Sequence, residues 1–326
     1  MQKIFVVIPT VRSLDCLKYW KNEFEGVYGV IVEDSPSLNI EVPKNIFRET
    51  YHYSWKEIDK ELGKKSWIIP RKTSAIRSFG FYKAFKMGAD YIITIDDDVY
   101  PKEKNFIGKH IFALNRKIPK RWFPTNPFYP FWYTRGFPYL NCRREEQVVV
   151  NHGMWNKNLD LDAPTHLLNL GYQFNNATSF SYFVPKKYYF PLCIMNVSFT
   201  KDVTPLFYML LMGRDRNLKP FGFERFDDIW AGILMKKVLD HLGLGVMVGS
   251  PIIDHKKASD PFENLQKEAR GIKYNEEFWK IVDKVKLTKD DPISCYRELI
   301  KKAKLPKEDY FILLKKAILE WLELFE

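Results

Sequence analysis

Three adjacent aspartates, Asp96-Asp97-Asp98, end the run Tyr91-Ile92-Ile93-Thr94-Ile95. That run is β-branched and aromatic, the pattern of a strand buried on both faces. Three neighbouring like charges repel, so the grouping calls for a cation. Hard divalent ions such as Mg²⁺ and Mn²⁺ take carboxylate oxygen and bridge phosphates. The carboxyl end of a buried strand is also where open α/β sheets bind ligands. One reading is a metal–diphosphate site; the other is a solvated acidic turn ahead of Pro101. Residues two apart on an extended segment point the same way. That spacing predicts Asp96 and Asp98 on one face and Asp97 on another.

Four further groups bear on the choice. Arg12, Asp34 and Arg77 fall at the ends of early elements. An arginine can clamp phosphate with two nitrogens, and an aspartate can accept from a base or ribose. Surface ion pairs are the plainer alternative. Asp254-His255-Lys256-Lys257 follows a late strand and offers an imidazole for a metal and lysines for phosphate. A structural histidine is the alternative there. Glu224-Arg225-Phe226-Asp227-Asp228 opens a helix. Capping needs one acidic residue, which leaves a second to face a sugar. Tyr133-Thr134-Arg135-Gly136-Phe137-Pro138-Tyr139 sets a cation among aromatic rings, through cation–π packing or as a surface for a sugar.

The elements that must position these residues read as alternating strands and helices. Ile4 to Ile8 is a strand broken by Pro9-Thr10, and a helix capped by Ser13 or Asp15 runs to about Phe24. Val27 to Val32 is a second strand. Ser54 caps a short helix ending at Gly63, Ser66 to Ile69 is expected as a third strand, and Thr73 starts a helix stopped by Gly88. The Tyr91–Ile95 strand follows. This alternation predicts an α/β fold with a doubly wound, mainly parallel sheet. Residues 119–171 lack a helical period and predict short strands with an active-site cover. Ser179 to Val184 and Leu244 to Val248 read as strands. Asp202 is expected to open a helix to Gly213, and Asp227-Asp228 one ended by Gly243. Residues 261–326 read as a C-terminal helical extension on a domain of residues 1–260.

At 326 residues, with 46% hydrophobic and 28% charged residues, the chain is globular rather than disordered. No apolar run reaches membrane-spanning length. Cys16, Cys142, Cys193 and Cys295 form no CxxC pair, which predicts free thiols and a cytoplasmic location. The net charge is +11, and residues 251–326 carry 16 Lys/Arg against 15 Asp/Glu. Nearly all the excess therefore lies with the acidic triplet, which favours an anionic ligand. No dense basic stripe or nucleic-acid motif accompanies it, so a small anionic ligand is expected rather than nucleic acid.

In sequence order the chain resembles the reversibly glycosylated polypeptides, the UDP-arabinopyranose mutases of plants. The resemblance is carried by Val7-Ile8-Pro9-Thr10-Val11-Arg12-Ser13-Leu14-Asp15, Ile95-Asp96-Asp97-Asp98, Arg135-Gly136-Phe137-Pro138 and His152-Gly153-Met154-Trp155. It continues through Asp160-Leu161-Asp162-Ala163-Pro164-Thr165, Phe190-Pro191-Leu192-Cys193-Ile194-Met195-Asn196, Asp227-Asp228-Ile229-Trp230-Ala231-Gly232, Asp240-His241-Leu242-Gly243 and His255-Lys256-Lys257-Ala258-Ser259-Asp260. It spans roughly residues 4–285. It implies a GT-A-type nucleotide-sugar fold and Mn²⁺ or Mg²⁺ held by Asp96 and Asp98, with His255 as a third ligand. It implies UDP contacts from Thr10, Arg12, Asp34, Arg77, Asp97, Asn196 and Lys257. It also implies a glycosylated arginine at Arg135. A guanidinium is ordinarily protonated, so Asp228 or another carboxylate would have to hold and deprotonate it. Residues 213–225 are longer than in the plant proteins and residues 122–134 differ, so the sugar stays open. The expected activity is pyranose–furanose interconversion of a UDP-arabinose-like sugar. Transfer to a separate acceptor is one alternative. A non-catalytic scaffold in a homo- or hetero-oligomer with an active paralogue is the other.

Overall fold

The computed structural model describes residues 2–120, 122–126, 131–138, 145–175, 179–256 and 259–326. Ten strands make one sheet: β1 (Ile4–Thr10), β2 (Tyr28–Glu33), β3 (Glu49–Tyr53), β4 (Tyr91–Ile95), β5 (Val99–Pro101), β6 (Lys117–Pro119), β7 (Glu145–Lys157), β8 (Ser181–Phe183), β9 (Asn196–Thr200) and β10 (Gly245–His255). The spatial order is β3-β2-β1-β4-β9-β7-β10-β5, with β6 beside β7 and β8 beside β10. β3, β2, β1 and β4 are mutually parallel, β9 is reversed, and β7 and β10 run parallel to one another. The mainly parallel sheet is the expected one.

Alternation along β1 explains why helices cover both faces. Phe5 and Val7 enter one core while Val6 and Ile8 enter the other. The second core receives Leu17 and Trp20 from a 3₁₀ turn at Asp15–Trp20. It also receives Phe24 from α1 (Lys21–Phe24). The first core receives α2 (Trp55–Leu62) and α3 (Arg77–Lys86), and the second receives Phe106 of α4 (Phe106–Leu114). α5 (Ala163–Leu168) is short, and α6 (Asp227–Leu242) ends at Gly243, whose φ of 70° suits glycine. α7 (Pro261–Asp283), α8 (Pro292–Lys302) and α9 (Asp309–Leu322) make the C-terminal part. Phe278, Leu299 and Trp321 carry it into the first core.

Two expected elements are replaced. The third strand is Glu49–Tyr53, while Gly63–Ile68 forms a 3₁₀ turn. Glu-Thr-Tyr-His-Tyr is a polar edge strand with no apolar run to announce it. The Ser66–Ile69 run is apolar because it is buried under Tyr208, whose hydroxyl donates to the Ile68 carbonyl at 2.5 Å. Asp202 does not open a helix to Gly213. Lys201–Leu206 is a 3₁₀ turn containing Pro205, and Phe207–Met212 continues as buried non-helical chain. The irregular middle holds a long strand, the thirteen-residue β7, rather than only short ones.

Candidate active site

The parallel strands β1 and β4 end side by side, and this brings the chain after each together. Asp97 turns inward. Its Oδ2 accepts from the Thr10 hydroxyl at 2.9 Å and from the Val11 N–H at 3.4 Å. Its Oδ1 lies 3.2 Å from Arg12 Nε. Burial raises the Asp97 carboxyl, and Arg12 opposes that shift. Arg12 also reaches Asp98 at 3.3 Å through Nη1. Arg77, fully buried on α3, donates to the Ser74 and Ile194 carbonyls, the Thr94 hydroxyl and Asp96. Strand alternation does not carry through the triplet. β4 stops at Ile95 and the chain turns at Asp97-Asp98. Asp96 pairs with Arg77, and Asp98 lies between Arg12 and His255.

β5 leaves the triplet antiparallel to the end of β10, pairing Val99 with His255. His255 Nε2 stands 3.8 Å from Asp98 Oδ1, and its Nδ1 lies 2.9 Å from the Asn158 carbonyl oxygen. A carbonyl only accepts, so Nδ1 carries the hydrogen. Nε2 is thereby turned to Asp98, and a ring whose other nitrogen is anchored on a carbonyl is how metal-binding histidines are held. The triplet's three carboxylates meet two guanidiniums, which leaves charge for a cation. Two carboxylates and an imidazole suit Mn²⁺ or Mg²⁺.

Beside the triplet lies a cleft of about 890 Å³. It is lined by Asp96, Lys72 to Ser74, Trp155, Asp160, the Pro191–Met195 stretch and the start of α6. Asp227 and Asp228 occupy the first turn of α6, while Phe226 holds the cap position. Asp228 Oδ2 accepts from the Ile194 N–H at 3.2 Å. Burial, then Asp227 and Asp160, push the Asp228 carboxyl well above the usual range. Ligand atoms of Asp160, Cys193 and Asp228 lie within 4.8 Å of one another. Burial also drives the Cys193 thiol well up. A thiol held in its protonated form is a poor ligand for a hard ion, so this trio fits a metal less well than Asp98 and His255 do. Arg225, at φ 64°, closes the rim by donating to Glu268 at 2.6 Å. The second Glu268 oxygen takes the Ala163 N–H at 2.7 Å.

The family profile described as "Reversibly glycosylated polypeptide" matches residues 1–326. The chain belongs to this family. It is 37% identical to UDP-arabinopyranose mutase 1 of Arabidopsis thaliana, over 98% of this chain and 91% of that protein. It is 38% identical to a probable UDP-arabinopyranose mutase 1 of Pisum sativum, over 98% and 90%. Among solved structures, glucosyl-3-phosphoglycerate synthase of Mycobacterium tuberculosis aligns with 94% of this chain and 80% of its own. The TM-score is 0.40 at 10% identity.

Several residues expected at the ligand have other surroundings in this family member. Asn196 is fully buried. Its amide donates to the Met154 and Pro251 carbonyls, and its oxygen lies 3.0 Å from His110 Nε2. It joins β9, β7 and β10. Arg77 likewise is 0% exposed and reaches the site through Asp96. Asp34, 3% exposed, accepts from Trp55 Nε1 at 2.7 Å and the Thr73 N–H at 2.9 Å, so it positions the cleft wall. Lys257 and Tyr139 lie outside the described residues. Arg135 is exposed and is not among the residues lining the cleft. Its loop stacks Tyr133 on Phe137 with centroids 4.1 Å apart. Phe131 packs on Phe183 at 5.6 Å, in a cluster with Tyr91, Val148 and Met247 near the starts of β4, β7 and β10. That is the amino end of the parallel strands, opposite the triplet, and the expected pairing of Arg135 with Asp228 is not formed. Sequence reasoning assigned no role to Asp160 or Glu268, since neither carries a local signal of its partners.

Proposed function

We propose that this protein is a metal-dependent UDP-sugar mutase that interconverts pyranose and furanose forms of a UDP-arabinose-like sugar. The observation that carries the proposal is the Asp98–His255 pair, anchored through Asn158, beside a cleft that holds Asp96, Asp160 and Asp228. The relatives are UDP-arabinopyranose mutases, and a cleft of this size suits a nucleotide sugar. Asp96, Asp98 and His255 would hold Mn²⁺ or Mg²⁺, and the bound ion would offset diphosphate charge as the anomeric bond breaks. Arg12, partly exposed beside Asp98, is placed to meet a phosphate oxygen. Thr10 and Asp97 fix the Arg12 loop, while Arg77 and Asp34 set Asp96 and the Thr73 wall. Asp228 faces the sugar. Arg135 is proposed as the covalent carrier on the family resemblance. That role requires its loop to approach the cleft and its guanidinium to lose a proton there.

The test is product analysis of the purified chain with Mn²⁺ and UDP-arabinopyranose in the absence of any acceptor. A mutase yields the isomeric UDP-sugar. Slow hydrolysis alone would mark a transferase, and neither product would mark a binding scaffold. Either result would refute the proposal.

A further inference from the structure

Contracting a six-membered sugar ring to a five-membered one moves a proton as well as a bond. The bond from C1 to O5 breaks, its electron pair stays on O5, and O5 takes a proton. A lone pair on O4 closes the new bond to C1, and the O4 hydroxyl gives up its proton. Nothing is oxidised or reduced. The reaction needs one group that donates and one that accepts within the span of a single sugar.

The cleft holds two carboxyl groups in unlike surroundings. Asp228 is half-buried at the start of α6, facing the Ile194 N–H. Asp160 is exposed at the rim, within 4.8 Å of it. Asp227 flanks Asp228 on the same helix, Cys193 adds a thiol, and Arg77 is the nearby cation. Burial and the like charges of Asp227 and Asp160 favour a proton on Asp228. Asp160 is open to water, and a protonated carboxyl beside an exposed one can divide the work of acid and base. A separate observation points to a hydroxylated ligand. Asp227 is 4% exposed and lines the same cleft, and its Oδ2 has no hydrogen-bond partner among the described residues. A buried acceptor left unsatisfied by its own chain is suited to a ligand hydroxyl.

We propose that Asp228 and Asp160 are the proton-transfer pair of the ring isomerisation. The Asp228 carboxyl gives its proton to O5, and the Asp160 carboxylate takes the proton of O4. The inference rests on the mutase reading above. In the reverse direction the two exchange roles. After each turnover the proton returns across their short separation, or through water at the exposed Asp160.

Asp160→Asn decides the matter, because an exposed side chain can change without loss of the fold. The full chain with Mn²⁺ is assayed for UDP affinity by calorimetry and for isomerisation of UDP-arabinopyranose in both directions. The variant is expected to bind UDP within about twofold of wild type and to lose isomerisation about 100-fold or more. Asp160→Glu should restore part of the rate, and Asp228→Asn should show the same split. An Asp160→Asn protein that isomerises at over half the wild-type rate would overturn the pair. So would parallel loss of UDP binding, which indicates a merely structural role. Wild-type protein that binds UDP and forms no isomer refutes the mutase reading itself, and the pair falls with it.

Discussion

His255 Nε2 faces Asp98 Oδ1 across 3.8 Å while its Nδ1 rests on the Asn158 carbonyl oxygen at 2.9 Å. The two residues lie far apart in sequence and meet because β5 and β10 pair. Asp98→Asn should abolish Mn²⁺-dependent UDP binding and leave the circular dichroism spectrum unchanged. His255→Ala should weaken it by about tenfold or more. Unaltered metal-dependent affinity in Asp98→Asn would remove the triplet from the metal site.

Arg77 is a fully buried cation that donates through Nε, Nη1 and Nη2 to groups of the protein itself. Arg77→Ala should therefore destabilise the fold by on the order of 3 kcal/mol in a denaturant titration. UDP and UDP-sugar should weaken by similar factors, the mark of lost uniform binding. A variant of normal stability that cannot bind UDP would mean that Arg77 touches the nucleotide directly.

His110 and His152 are buried, and burial lowers them to about 3 and about 4 respectively. Their folded-state values lie below the unfolded value near 6.5. The unfolded chain therefore binds protons first as pH falls. The stability they contribute is complete above about pH 6.5 and is lost on the way down to their folded values. By pH 5 the loss is about 2 kcal/mol per histidine. Asp34, Asp97, Asp227 and Asp228, raised mainly by burial, act with the opposite sign. The check is the difference in unfolding midpoint between pH 7.5 and pH 5, compared in wild type and His152→Gln. The variant should lose part of the pH dependence; an identical dependence in both proteins would contradict the assignment.

Lysine separates the two roles open to Arg135, because it keeps the charge and loses the planar guanidinium. If a guanidinium nitrogen bonds to the anomeric carbon, Arg135→Lys should lose most turnover while UDP still binds. Radiolabelled UDP-sugar should then label wild type and not the variant. The exposed side chain predicts no change in stability. Robust turnover with no label on either protein would end the covalent role.

The early part of the sheet was legible in the sequence, where its strands are continuous apolar runs. β1, β2 and β4 are announced by β-branched runs buried on both faces, and α6 by its acidic start and Gly243. β3 was not, because an edge strand such as Glu49–Tyr53 needs no apolar run. The triplet was legible as a charge problem, but its solution was not. Only the folded chain shows that Asp96 pairs with Arg77, Asp97 with Thr10 and Asp98 with Arg12 and His255. Asn196, expected at the ligand from the resemblance alone, is a buried amide linking three strands. Such an amide and one facing a ligand look the same in sequence.

In its pairing with β7, β10 carries two extra residues, Ser250 and Pro251, between Gly249 opposite Gly153 and Ile252 opposite Met154. Side chains on a strand alternate, so losing one of them with the upstream pairing held would turn His255 to the other side of the sheet. Losing both would return it to the same side. The centre is thus set by parity in a segment some distance away, and length variants of this strand that keep His255 beside Asp98 should differ by even numbers of residues.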